Sequence, residues 1–154
     1  MISVCALIFV CQPVYVDGAS MLPLLANEDY VIVDKIAYRV GDIHHGDVVV
    51  LQSPRNHNIS LIKRVIALPG ENVRIDYGTV YVNGSRLDEP YLLERYNDIQ
   101  TRSAIVVPPD EYFVMGDHRS RSTDSRNFGP VGRDLIRGKA VFVYWPIRQI
   151  RMIR

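Results

Sequence analysis

Ser20 and Lys63 are two residues whose chemistry depends on their surroundings. Ser20 lies in Asp17-Gly18-Ala19-Ser20-Met21-Leu22-Pro23, where small residues ahead of a serine let a substrate backbone come close. The same stretch also reads as an ordinary turn. A serine nucleophile needs a base, and the four histidines offer none by spacing. His44 and His45 precede Gly46-Asp47, His57 sits in a polar loop, and His118 follows Gly116-Asp117. Neither a Ser-His-Asp triad nor a metal site can be drawn from them. Lys63 is the other candidate. In a strand, Leu61, Lys63, Val65 and Ala67 share one face. An ammonium among apolar neighbours is costly unless it is paired or loses its proton. Moving a lysine from about 10.4 to about 8 takes ~3 kcal/mol of differential desolvation, which partial burial supplies. The alternative is a lysine that snorkels out at a sheet edge. Arg64 points to the opposite face and needs an anion of its own.

A third group runs from Gly116 to Pro130, dense in Ser, Asp and Arg. Such a run suits a buried hydrogen-bonded network or, equally, a solvated loop.

The elements that position these residues read as β. Tyr30–Ile36, Asp47–Leu51 and Ile59–Leu68 are rich in Val and Ile. Asn72–Asp76 and Thr79–Val82 flank Tyr77-Gly78 as a hairpin, and Asn83-Gly84 turns the chain again. Ala104–Val107, Tyr112–Met115 and Lys139–Tyr144 complete the strands, while Pro54–Asn58 and Glu89–Arg102 read as loops. Long helical periodicity is absent after residue 20. The fold class is all-β, with compact, barrel-like antiparallel sheets.

Residues 2–11 are apolar except for Ser3, and the first charge is Asp17. As helix, ten to fifteen residues span about 15–22 Å, short of the ~30 Å hydrocarbon core. No basic stretch precedes them to make a cleavable signal peptide. The segment therefore reads as the end of a membrane anchor, an interfacial segment or a buried element, and Pro13 would end a helix there. The organisation expected is a membrane-associated segment over residues 1–16 and a β-rich domain over 17–154 that carries the three clusters. Cys5 and Cys11 are the only cysteines and indicate neither a disulfide nor a zinc site.

With 154 residues, 47% hydrophobic and 23% charged, the chain is neither disordered nor low in complexity, and suits one domain. The net charge of +1 hides an asymmetry. Residues 1–118 hold 9 basic and 15 acidic side chains, and residues 119–154 hold 9 basic and 2 acidic. The basic end can face anionic lipid, nucleic acid or the acidic remainder of its own fold.

Taken together, the three clusters resemble the type I signal peptidases (leader peptidases), membrane serine proteases with a Ser-Lys dyad. The nucleophile box resembles Asp17 to Leu25. The Gly-Asp-aliphatic box is similar to Gly46-Asp47-Val48-Val49-Val50, and the base box to Lys63 through Glu71. The last box is similar to Gly116 through Arg126. The boxes stand in the family's order across most of residues 15–145. Departures are Leu24 for Thr, Ala67 for Gly, Glu71 for Asp and His118 for Asn.

The resemblance implies Ser20 as nucleophile, Lys63 as general base, and Ser122 as the hydroxyl that orients the Lys63 amine. It implies the pairs Arg64–Asp117 and Asp124–Arg126 as supports. Val16, Met21, Leu25, Leu61 and Ile62 match positions lining the pocket for small side chains. The position two before the nucleophile can carry an oxyanion-binding hydroxyl. Here it is Gly18, so the oxyanion falls to the Ser20 N–H with Gly18 backbone or water. No metal or cofactor is implied. The implied activity is removal of signal peptides from secretory preproteins with small residues one and three before the cut. Membrane lipid is an expected partner and nucleic acid is not. The implied location is the cytoplasmic membrane, with the catalytic domain on its extracytoplasmic side. Other readings are a self-cleaving repressor-type Ser-Lys protease and a non-catalytic peptide-binding β-domain.

Overall fold

A computed structural model describes residues 10–154. Eight strands form one curled, half-barrel sheet and four form a smaller second sheet, all paired antiparallel. The large sheet runs β1 (Cys11–Tyr15), β2 (Tyr30–Asp34), β11 (Ile136–Trp145), β3 (Val48–Gln52), β4 (Ser60–Ala67), β9 (Glu111–Met115) and β10 (Val131–Gly132), with β12 (Arg151–Met152) beside β11. The second sheet is ordered β7 (Ser85–Arg86), β6 (Thr79–Val82), β5 (Asn72–Asp76) and β8 (Arg102–Val106). Among the described residues from Cys11 on, the α-helices are two single turns, α1 (Ala37–Val40) and α2 (Ser125–Phe128).

β3 shows why the sheet curls around two cores. Its four aliphatics Val48 to Leu51 are all buried. Val48 and Val50 face one apolar cluster with Val16, Met21, Leu25, Val31 and Val143. Val49 and Leu51 face another with Ile43, Val65, Tyr112 and Val114. A strand covered on both faces reads as a continuous apolar run rather than an alternating one. A third cluster, with Val73, Ile75, Val80 and Phe113, joins the second sheet to the first. The β5–β6 hairpin turns at Tyr77-Gly78, both at positive φ, as the sequence predicts.

The described part of the N-terminal segment is a strand. From Cys11 to Tyr15 it is strand β1, paired residue for residue with β2 from Asp34 to Tyr30. Pro13 is accommodated because β1 lies at the sheet edge, where one side of the strand needs no donors. Of the segment expected to associate with the membrane, residues 11–15 thus form an edge strand of the sheet, and residues 1–9 lie outside the described part. Among the described residues no helix is long and apolar enough to cross a membrane.

β4 also departs from simple alternation. A register shift against β9 between Val65 and Ala67 re-aims the strand. Val65 therefore packs in the Ile43 cluster and Ala67 in the Phe113 cluster, not on one shared face.

Candidate active site

β9 pairs with β4 only from Arg64 onward. Among the described residues, no strand pairs with the free edge of Ser60 to Lys63 or with the outer edge of β1. The two edges bound a narrow cleft of about 100 Å³, lined on one side by Val14 to Gly18 with Ser20 and Met21, and on the other by Ser60 to Lys63.

Ser20 and Lys63 meet at one end of that cleft. Lys63 Nζ stands 2.8 Å from Ser20 Oγ and 3.0 Å from the Ile62 carbonyl oxygen. Lys63 is 2% exposed. Burial draws its amine down from the usual lysine range to about 8. The Asp124 and Asp117 carboxylates oppose that shift, and the Arg126 guanidinium adds to it.

The turn carrying Ser20 is held by the Gly116–Arg126 loop. The His118 N–H donates to the Ser20 carbonyl at 3.0 Å, and the His118 ring Nδ1 lies 3.2 Å from the Ala19 carbonyl oxygen. The His118 ring packs on Tyr96, centroids 4.2 Å apart. Gly116 is required by close approach. A Cβ there would lie 2.3 Å from Ser122 Oγ and 2.5 Å from the Ser20 carbonyl oxygen.

Behind the dyad, buried charges are paired. Arg64 donates Nε and Nη2 to the two oxygens of Asp117, at 2.8 and 2.7 Å, with both side chains almost fully buried. Asp124 caps α2 and accepts from the Gly116 N–H at 3.0 Å and from Arg126 Nε and Nη2 at 2.8 Å each. Burial raises the Asp124 carboxyl, but Arg126 and the Gly116 N–H outweigh it and hold the group below the usual range. Arg126 also pairs with Asp98, and Arg119 with Glu89.

A family profile described as "Signal peptidase, peptidase S26" matches residues 1–145. A probable signal peptidase I-2 from Synechocystis is 37% identical over 150 residues, 94% of this chain and 68% of that protein. The chain belongs to the signal peptidase I family. Signal peptidase I from Bacillus licheniformis is 36% identical, over 93% of this chain and 81% of the relative. A solved signal peptidase I from Enterococcus faecalis V583 aligns with a TM-score of 0.57 at 34% identity, covering 65% of this chain and 97% of that one.

In this member of the family the expected residues are gathered with three adjustments. Val16, Met21, Leu61 and Ile62 line the cleft, but Leu25 is wholly buried in the core with Val16 and Met21. The Gly18 N–H is taken by Asn27 Oδ1 at 2.8 Å, so it does not stand free for an oxyanion. Gly18 itself sits at φ +107°, a conformation that favours glycine. Among the described residues no acceptor bonds the Ser20 N–H. Third, the expected bond from Ser122 to the Lys63 amine is not formed, and Ser122 Oγ is buried with no partner.

Sequence reasoning missed Glu89 and Asp98, placed in a plain loop. Each reaches a buried arginine about thirty residues ahead. The available signal was the opposition of charge between that acidic loop and the arginine-rich run after Asp117.

Proposed function

We propose that the protein is a serine endopeptidase that removes N-terminal signal peptides from secretory preproteins, with Ser20 as nucleophile and Lys63 as general base. The observation that carries this reading is the 2.8 Å approach of Lys63 Nζ to Ser20 Oγ, at an amine that burial brings close to neutrality. With Lys63 neutral, the Ser20 hydroxyl donates into the amine lone pair. As Oγ attacks the scissile carbonyl, Lys63 takes that proton and the unpartnered Ser20 N–H meets the oxyanion. The Lys63 ammonium then protonates the leaving amine, giving an acyl-enzyme. Lys63 next removes a proton from water, which attacks the ester, and returns that proton to Ser20 Oγ as the acid product leaves. Ser122 Oγ, unspent and close to the Ser20 backbone, is the hydroxyl that orients the amine once the cleft fills.

The substrate enters as an extended strand between the open edges of β1 and β4. Alternate side chains then face the enzyme, and a cleft of about 100 Å³ walled by Val16, Met21 and Ile62 has room for small ones only. That supports small residues one and three before the cut. The family is membrane-associated. The location proposed is the cytoplasmic membrane, with the cleft on the extracytoplasmic side.

The test is cleavage of a detergent-solubilised preprotein by the wild type, Ser20→Ala and Lys63→Ala, with the new N-terminus read by mass spectrometry. Wild type should cut after a small residue, and both variants should lose at least about 10³-fold in kcat/KM. Turnover in either alanine variant would remove the dyad.

A further inference from the structure

A second cavity, of about 420 Å³, opens beside the catalytic cleft and shares Val14 and Ser60 with it. Its charged lining is Lys35, Arg39, Arg133, Arg137 and a single acid, Asp134. None of the four cations has a carboxylate within 4 Å among the described residues, and residues 1–9 contain no Asp or Glu. The contrast with Arg64, Arg119 and Arg126, each seated on a carboxylate, is sharp. Arg133 is nevertheless fixed. Its guanidinium donates to the Tyr38 carbonyl at 2.7 Å, the Gly41 carbonyl at 3.4 Å and the Tyr112 hydroxyl at 3.2 Å, all neutral acceptors. Arg137 donates to the Gln52 amide oxygen, also neutral.

A concave site with a net excess of three cations, one of them held in place by neutral groups, lacks an anion. We propose that this cavity binds a phosphate oxyanion, with Arg133 as its fixed floor and Lys35, Arg39 and Arg137 closing around it. Forked guanidinium donors match phosphate oxygens in pairs. Position favours the headgroup of an anionic phospholipid as the source. The Lys35 N–H donates to the Val10 carbonyl at 2.8 Å, so the cavity abuts the point where the apolar residues 2–10 join the domain. Free phosphate shares the chemistry and is separated by experiment.

The full chain is partitioned onto vesicles of phosphatidylcholine alone and of phosphatidylcholine with phosphatidylglycerol, at 0.1 M salt. Because Arg133 also ties loops together, the variant used is Lys35→Gln/Arg39→Gln/Arg137→Gln. Its control, Arg86→Gln/Arg95→Gln/Arg102→Gln, removes equal charge from the region of the second sheet. The pocket triple should lose about 10- to 100-fold of the anionic-over-neutral preference, and the control much less. In a second arm, inorganic phosphate should raise the Tm of the wild type and not of the pocket triple. A phosphate response confined to wild type, with both triples partitioning alike, keeps the oxyanion site and assigns it to a soluble phosphate. Equal losses in the two triples, with no phosphate response, would overturn the proposal. Neither readout depends on peptidase activity.

Discussion

β4 buries two cations at consecutive positions, and the regions that receive them handle charge in opposite ways. On the cleft side Lys63 meets a hydroxyl and a carbonyl, and no carboxylate touches it. On the other side Arg64 meets both oxygens of Asp117, the Gly46 carbonyl, and the ring of Tyr91 at 4.0 Å. Equal burial thus leaves one side chain free to give up its proton and locks the other as a permanent cation. A missing anion lowers the proton affinity of one group, and a supplied one fixes the charge of the other.

The comparison breaks most visibly at Lys63 itself. Lys63→Met should abolish turnover while keeping or raising the Tm, because it removes a buried charge without stranding a partner. Lys63→Arg should be inactive too, since a guanidinium does not serve as a base. A fall in Tm for Lys63→Met would show that the lysine is structural. Next in size is Asp117→Ala, which leaves Arg64 buried and unpaired. It should cost about 3–5 kcal/mol in denaturant unfolding; a loss below about 1 kcal/mol would mean that water reaches Arg64.

The pH dependence sharpens the same contrast. kcat/KM should rise through about pH 8 as Lys63 loses its proton, and then level off. Stability follows the same group. The unfolded lysine keeps its proton to 10.5 while the folded one releases it near 8, so between those values the unfolded state binds more protons. Stability attributable to Lys63 should therefore grow with pH across that window, by about 3 kcal/mol in all. Chemical unfolding of wild type and Lys63→Met at pH 7, 9 and 11 reads it as a difference. The smallest effect is expected at Ser122. Ser122→Ala should lower kcat by roughly tenfold or more, with KM and Tm unmoved, because the hydroxyl has no folded-state partner to lose. An unchanged kcat would remove its orienting role.

Legibility in the sequence followed how local each determinant is. The Asn72–Asp76 and Thr79–Val82 hairpin is recovered to the residue, since a positive-φ dipeptide and period-two patterning sit within ten positions. Ser20, Lys63 and the Arg64–Asp117 pair were legible through ordered motifs. β1 was not, because an apolar run ending in Pro13 reads the same for a strand at a sheet edge as for a broken helix. The Gly18–Asn27 bond and the Glu89 and Asp98 partners depend on where distant loops land, and spacing does not encode that. Part of the charge asymmetry resolves internally, through Arg119, Arg126, Lys139 and Arg151 on acids of the earlier chain.

The unclosed seam between β1 and Ser60–Lys63 also bears on how the molecule behaves at high concentration. An unpaired strand edge is normally a template for another chain, and runaway sheet growth is the hazard. Here the two edges line the two sides of one narrow cleft. An extended peptide bound between them, as proposed above, would pair with both and leave no new edge for a further copy to extend. On the proposed reading the seam is self-limiting: it takes one guest strand rather than templating a growing sheet.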